Sequence, residues 1–555
     1  MSSVPQSAIP PSVVAEAQQI AHGFDLSTSA LRRVTAYFVQ QMRVGLETQQ
    51  QWQLPSYVTK IPQGSEKGRF LAVDLGGTNC RVSIVELYGN AKYSVHQTKH
   101  VVPREVRINP SYKPLFGFIA AKIAEFLDTP EERNRRRNEN GEDPAHRPAM
   151  EYKLGFAFSF TCEQKSIVDG ALIQWDKEWD IPSALGRSPC EMLQESIDEM
   201  KLPVQVCVLA NDSVGALLTH SYTLSRPSAV LAAIIIGTGT NAAYVENVGN
   251  IPRLGPATSS GESSSAAVMV INTEWGSFDD ELKVLPSTEY DMAADAASTS
   301  PGSQMLEKRI AGLYLGEILR RALIRLVEAR VFHMNVSTES PLYQLGGIKT
   351  SFMSALANVK DDDKTNVLQL VINTLDARNV SIDDCRAIRL LSDAIARRAA
   401  RLTAASLAAI IIQSGRLPAQ HPVPGLSADV TESRKHDSCF HRLLRQISAF
   451  IQSTAYAIRR VLWRRQRAES RRTSDSHKPT SICEDPFPSP LETDCIAIGT
   501  DGSVINMYPG FISTIRSTLL EIPEVGSEAA RVVQLSPTCD GSLVGAALMA
   551  HSTTR

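Results

Sequence analysis

The sequence predicts an α/β protein of two or more domains, on three observations. Apolar, strand-like runs recur at 70–74, 80–87, 154–160, 204–209 and 230–236, with helical patterns between the later ones. Three apolar runs end in a turn of glycine with threonine or serine: "DLGGTN" at 74–79, "IIIGTGTNA" at 234–242 and "IGTDGS" at 498–503. A chain of 555 residues also exceeds what one ordinary core organises.

Taken in order, the first two dozen residues are rich in proline and serine and are expected to be loose through residue 26. A helix is predicted to open near 25–29, with Leu31, Val34, Phe38, Met42 and Leu46 on one face. "RFLAVDLGGTNCRVSIVEL" reads as two β-rich runs broken by a glycine turn. Residues 129–149, "TPEERNRRRNENGEDPAHRPA", are polar and mixed in charge and read as a surface loop. The stretch 414–494 breaks the alternation and is far longer than an ordinary connection in a compact domain. Inside it, Phe440, Leu443, Leu444, Ile447, Ile451, Ala455, Ile458 and Leu462 keep helical spacing. Residues 434–478 hold twelve Lys or Arg against three Asp or Glu. "RRVLWRRQRAESRR" at 459–472 suits a nucleic acid, an acidic protein partner, an anionic surface or nuclear import. A solvated helix face packed back on the domain would read the same. The small-residue segment "GSLVGAALMAHS" predicts a closing helix.

Apolar residues make up 43% and charged residues 21%, a globular balance. The net charge of −2 excludes a general pull toward nucleic acid or anionic membrane. Nine cysteines without a C-x-x-C pair suit free thiols in a reducing compartment, not a disulfide framework or a zinc site. The N-terminus lacks a basic and an apolar region, and no apolar run is long enough for a transmembrane segment, so cytoplasm or nucleus is expected.

The glycine turns carry the chemistry. In "DLGGTN" two glycines let backbone N–H groups approach a phosphate, and the threonine adds a donor. Asp74 is placed to hold magnesium through water. A tight hairpin turn would account for this motif alone. Three such turns together suggest a cleft that cradles a nucleoside triphosphate. Between the first two, "VLANDSVG" at 208–215 puts Asp212 after a strand, where it can accept a hydroxyl proton or cap a helix. Glu274 in "INTEWGSF" and Glu307 in "QMLEKRIAGLYLGEI" add carboxylates suited to a hydroxyl-rich ligand.

The chain resembles the hexokinases, in particular the single-unit fungal type. The likeness runs from "LPSYVTKIPQGSEKGRFLAVDLGGTNCRV" through "LGFAFSFTCEQKSI", "NTEWGSF" and "SPGSQMLEKRIAGLYLGEI" to "IGTDGSVINMYPGF", covering most of 30–413 and resuming near 495. It implies two actin-like, ribonuclease-H-like α/β domains closing over an interdomain cleft. The small one would be 27–210 with its leading helix, the large one 211–555 interrupted at 414–494. It implies ATP-dependent phosphorylation of the 6-hydroxyl of glucose or a related hexose, with Mg2+. Asp212 would be the base and Lys177 would reach both sugar and γ-phosphate. Ser159, Asp176, Asn211, Asn241, Glu274 and Glu307 would bind the sugar. Asp74, Gly76, Gly77, Thr78, Asn79 and Arg81 would form the first phosphate turn, and Gly237, Thr238, Gly239 and Thr240 the second. Thr350, Ser354, Gly502, Ser503 and Ser542 would make further nucleotide contacts.

Three positions depart from the family pattern. Where the family reads Trp-Thr-Lys-Gly-Phe, this chain reads Trp175-Asp176-Lys177-Glu178-Trp179. A carboxylate roughly 5–6 Å from a transferring phosphoryl costs about 3 kcal/mol at an effective dielectric of 20, roughly a hundredfold in rate. Paired with Lys177 or turned outward, Asp176 would cost little. Leu543 replaces a glycine where adenosine packs, and would either fill part of the adenine slot or rotate away. Thr161 stands in place of a proline. The sequence therefore supports a hexose kinase of reduced activity, or a catalytically impaired sugar-binding regulator acting through protein or nucleic-acid partners.

Overall fold

The computed structural model describes residues 12–140, 152–175, 179–255, 267–417 and 495–554. Two sheets organise them. The five-stranded sheet runs Lys92–Val101, Asn79–Gly89, Lys67–Leu75, Tyr152–Phe158, Val204–Ala210. Its first three strands form an antiparallel meander and the last two pair parallel. The six-stranded sheet repeats that order and sense with Val268–Asn272, Thr240–Asn247, Val230–Ile236, Ile496–Asp501 and Val533–Pro537, adding Leu54–Pro55 at one edge. Two copies of one topology, each a meander followed by parallel strands, form the duplicated ribonuclease-H-like fold of the actin type. The strands predicted at 70–74, 80–87, 154–160, 204–209 and 230–236 are all present, their boundaries shifted by a few residues at most.

Helix Thr28–Glu47 forms where its periodicity predicts, capped by Ser27, whose Oγ accepts from the Ala30 N–H. Leu31, Val34, Phe38, Met42 and Leu46 are all buried, in the core that also holds Leu231, Ile234 and Ile271 of the six-stranded sheet. The leading helix thus packs with the six-stranded sheet's core. Two expectations need correcting. The loose N-terminal stretch contains helix Val13–His22, capped by Ser12 and burying Val13, Ala17, Ile20 and Ala21 against the long helix Ile382–Gln413. The proposed loop at 129–149 contains helix Pro130–Asn140, with proline at its first position and Glu131 and Glu132 in its first turn. Glu132 is buried in an ion pair with Arg69 of the first sheet, so a distant partner holds a segment that has no apolar face. The basic segment 434–478 and the helical spacing at 440–462 lie outside the described residues.

The closing helix, Gly541–Ser552, lies on the five-stranded sheet and against helix Asp212–Thr223. The approach is close because small residues meet. A Cβ on Gly545 would stand 2.1 Å from Gly215 Cα, and one on Gly155 would stand 2.3 Å from the Ala546 carbonyl oxygen. The closing helix begins at the first glycine turn, where Ser542 meets Asp74.

Candidate active site

The first turn links Lys67–Leu75 to Asn79–Gly89. The Gly76 N–H donates to the Asn79 carbonyl (3.0 Å), and the Thr78 carbonyl accepts from Val102 N–H (3.0 Å). Asp74 is buried at the end of its strand, 3.7 Å from the Arg81 guanidinium, and accepts from Ser542 Oγ at 3.1 Å. Residues 468 positions apart thus meet, because helix Gly541–Ser552 begins at this turn.

The second and third turns lie back to back. Gly502 has φ +99°, and a Cβ there would stand 2.4 Å from the Ile236 carbonyl oxygen and 2.7 Å from Gly237 N. Only glycine fits such a backbone approach. Gly237 N–H donates to the Gly239 carbonyl, and the Gly237 and Thr238 carbonyls accept from Gly312 and Leu313 N–H at the start of helix Gly312–Glu328. Thr238 and Ser503 are exposed. Thr240 is turned inward, its hydroxyl donating to the Ile235 carbonyl and accepting from Trp275 Nε1. Thr350 is likewise engaged, donating to the Gly312 carbonyl at 2.7 Å and accepting from Gly316 N–H at 3.0 Å. Ser354 Oγ faces the Met507 carbonyl at 3.4 Å. Leu313 and Met507 expose apolar surface beside these turns.

Asp212 opens helix Asp212–Thr223, with Asn211 as the cap. Asn211 Oδ1 accepts from Ser213 N–H and Oγ, and Asp212 Oδ1 also accepts from Ser213 N–H. The capping reading of Asp212 passes to its neighbour: Asn211 is the cap, and Asp212 is the first helical residue. From Asn211 a polar network extends into the other sheet. Asn241 Nδ2 donates to Asn272 Oδ1 (2.9 Å) and lies 3.4 Å from Glu274 Oε1 and 3.5 Å from Asn211 Oδ1. Asn272 Nδ2 donates to Glu274 Oε1 at 2.8 Å. Glu274 has φ 49°, the left-handed region that a non-glycine residue enters only when its surroundings hold it there. Glu307 accepts from the Thr240 N–H at 2.9 Å, and a Cβ on Gly239 would stand 2.6 Å from its Oε2. Ser159 follows strand Tyr152–Phe158, its N–H on the Leu75 carbonyl.

Sequence reasoning passed over Asn272, although it stands two residues before Glu274 in the same motif. It also passed over Asp501, whose Oδ1 accepts from Gly502 N–H at 2.6 Å. Burial pushes the Asp501 carboxyl above its ordinary range, and Asp212 and Asp540 add to this while Arg81 opposes it. Asp501, Asp212 and Arg81 thus share one electrostatic neighbourhood. Asp176, Lys177 and Glu178 lie outside the described residues, but both flanks of that stretch are fixed. Trp175 Nε1 donates to the Ile181 carbonyl (2.9 Å), Trp179 Nε1 donates to the Gly77 carbonyl (2.7 Å), and the two indoles stack at 5.4 Å. Leu543 is fully buried in an apolar cluster with Leu217 and Val544. Its side chain has rotated into the core, and the reading in which it fills an adenine slot is set aside.

The hexokinase family profiles match residues 16–222 and 231–552. The chain is 35% identical over 554 residues to a glucokinase of Aspergillus niger, covering 96% of both chains. It is 30% identical to glucokinase-1 of Saccharomyces cerevisiae, covering 97% of both. Its fold superimposes with a TM-score of 0.72 on a Schistosoma mansoni hexokinase complexed with glucose, at 25% identity, over 97% of this chain and 99% of that one. Matched along nearly its whole length, in sequence and in fold, the chain belongs to the hexokinase family.

Proposed function

We propose that this protein transfers the γ-phosphoryl group of ATP to the 6-hydroxyl of glucose or a closely related hexose. The observation that supports this most is the placement of Asp212, which opens the helix capped by Asn211, the first member of the Asn211–Asn241–Asn272–Glu274 network, with Asp501 of the third glycine turn in its electrostatic neighbourhood. Asp212 takes the hydroxyl proton as the sugar oxygen bonds to the γ-phosphorus. The bond from that phosphorus to the bridging oxygen breaks, and ADP leaves. Phosphoryl transfer asks mainly for positioning and charge neutralisation, which these groups supply. Asn211, Asn241, Glu274, Glu307 and Ser159 bind the remaining hydroxyls, each of which needs a partner once buried. Lys177 reaches the sugar and the transferring group. The turns Gly76–Asn79 and Gly237–Gly239, in which Thr78 and Thr238 are exposed, with Gly502, Ser503 and Ser542, receive the phosphates, and apolar Leu313 and Met507 flank the nucleoside.

Among the described residues no group of three or more His, Cys, Asp or Glu is close enough to hold a metal directly. That fits magnesium, which keeps most of its waters and is held by substrate phosphates with one or two carboxylates. Asp74, already an acceptor at the first turn, is the residue to hold it, and the ion when bound neutralises phosphate charge. The domains at 27–210 and 211–555 close over the two substrates, with the chain's ends crossing between them.

The rate is reduced by Asp176. That residue also favours a second reading, a sugar-binding regulator with little turnover that works through protein or nucleic-acid partners of 434–478. No helix among the described residues is long and apolar enough to cross a membrane. Action in the cytoplasm, with nuclear entry through 459–472, belongs to the same reading. The test is hexose 6-phosphate formation at saturating glucose by wild type, Asp212→Asn and Asp176→Thr. Wild type is expected to turn over, Asp212→Asn to lose about 10²–10⁴-fold, and Asp176→Thr to gain up to about a hundredfold. Turnover untouched by Asp212→Asn would remove the base from Asp212. A silent wild type rescued by Asp176→Thr would select the regulator.

A further inference from the structure

We infer that Trp179 is a positioning residue that sets the nucleotide-binding face of the first glycine turn, a role that rests on the kinase reading. Its indole N–H donates to the Gly77 carbonyl at 2.7 Å, while its ring is buried against Phe160 and stacked on Trp175. In a trans peptide the carbonyl and the following N–H point in opposite directions. Holding the Gly77 carbonyl toward Trp179 therefore aims the Thr78 N–H away from it. The Thr78 carbonyl is held in the same manner by Val102 N–H, which orients the Asn79 N–H, and the Asn79 carbonyl accepts from Gly76 N–H. Three successive carbonyls of the turn are thus anchored on protein donors. Two of those donors are backbone groups of the sheet and turn. The third is a side chain, and a phenylalanine at 179, the residue of the family pattern, has no N–H to supply it.

The consequence is preorganisation. Glycine at 76 and 77 frees this turn to approach phosphate, and the same freedom lets the Gly77–Thr78 peptide rotate. A donor aimed beforehand costs no reorganisation when the charged group arrives. Trp179 stands two residues after Lys177 in the sequence, so its side chain ties the end of that stretch to the turn proposed to receive ATP. Asp176, Glu178 and Trp179 depart from the family pattern within a single stretch, and Trp179 is the one whose contact strengthens the site.

The test compares wild type, Trp179→Phe and Trp179→Ala in full-length protein. Calorimetry measures binding of a non-hydrolysable ATP analogue with magnesium and, separately, of glucose, alongside kcat, both KM values and the thermal midpoint. Trp179→Phe keeps the ring and loses the N–H. It is expected to weaken nucleotide binding and raise the KM for ATP about three- to tenfold, the effect of one hydrogen bond. Its glucose affinity and thermal midpoint should stay at the wild-type values, whereas Trp179→Ala should also lower the midpoint. Nucleotide affinity unchanged in Trp179→Phe would overturn the inference, leaving the indole a packing role. An equal fall in glucose and nucleotide affinity would overturn it too, since that reports a general loosening around Trp179. A wild type that binds no nucleotide and forms no hexose 6-phosphate would overturn the kinase reading, and the inference with it. A wild type that binds nucleotide as well as Trp179→Phe does would sink the inference alone.

Discussion

Asn272 shows how much of the proposed sugar end depends on one amide. Its Oδ1 accepts from Asn241 and its Nδ2 donates to Glu274, so it orients two of the proposed sugar-binding side chains. Replacing it by alanine leaves the Glu274 carboxylate short of a donor in a partly buried site, at a cost of about 1–3 kcal/mol. Asn272→Ala is therefore expected to raise the KM for glucose about tenfold, with a smaller effect on the KM for ATP, in steady-state assays varying each substrate. Equal effects on both would show that the amide supports the whole cleft and not its sugar end. Asp212, Glu274 and Glu307 could be proposed from the sequence because each is an acid in a motif next to a strand or turn. Asn272 could not, because an asparagine that acts by aligning its neighbours shows its role only when Asn241, 31 residues away, is seen beside it. Leu543 was ambiguous for the matching reason: the sequence places it on a helix, and only packing decides which way it faces.

Among the elements, the strands and the amphipathic helix Thr28–Glu47 were readable because local periodicity and tertiary burial agree there. Helix Pro130–Asn140 was hidden because its hold on the fold is ion pairs with distant residues of the first sheet, Arg69–Glu132, 63 positions apart, and Arg135–Glu86, and not an apolar face. The crossing of helices Asp212–Thr223 and Gly541–Ser552 has a physical logic that the closing small-residue segment only hinted at. Gly215 and Gly545 let the two backbones touch, and the closing helix begins with Ser542 on Asp74. A methyl group at 545 meets the Gly215 backbone at 2.1 Å, and neither backbone can yield as a flexible side chain would. Gly545→Ala should thus cost at least about 1–3 kcal/mol and reduce kcat in the protein that remains folded. A lower denaturation midpoint together with a lower kcat is the expected pair of results. A lower midpoint with unchanged kcat would mean the active-site ends of both helices are held by other contacts.

At the scale of the whole molecule, the arrangement around residues 418–494 makes a prediction about what the fold needs. Helix Ile382–Gln413 leads into Arg416, whose guanidinium donates to the Val230 carbonyl at 2.7 Å. The chain resumes at Cys495, and Ala497 pairs directly with Val230 in the six-stranded sheet. Both ends of the 77-residue stretch outside the described residues therefore converge on a single strand start. A connection whose ends already lie together can be shortened at little thermodynamic cost, because closure entropy varies only with the logarithm of chain length. The active-site groups discussed above all come from outside it, Lys177 and Asp176 included. Replacing 418–494 by a short glycine–serine linker is accordingly expected to leave the thermal midpoint in place and glucose phosphorylation within about twofold. Loss of solubility or activity in the shortened chain would show that the stretch contributes to the core or the cleft. If the shortened chain keeps its turnover but loses a protein or nucleic-acid partner of the parent, catalysis and partner recognition reside in separable parts of the chain, the six-stranded sheet closing over the site whether or not the basic segment is there.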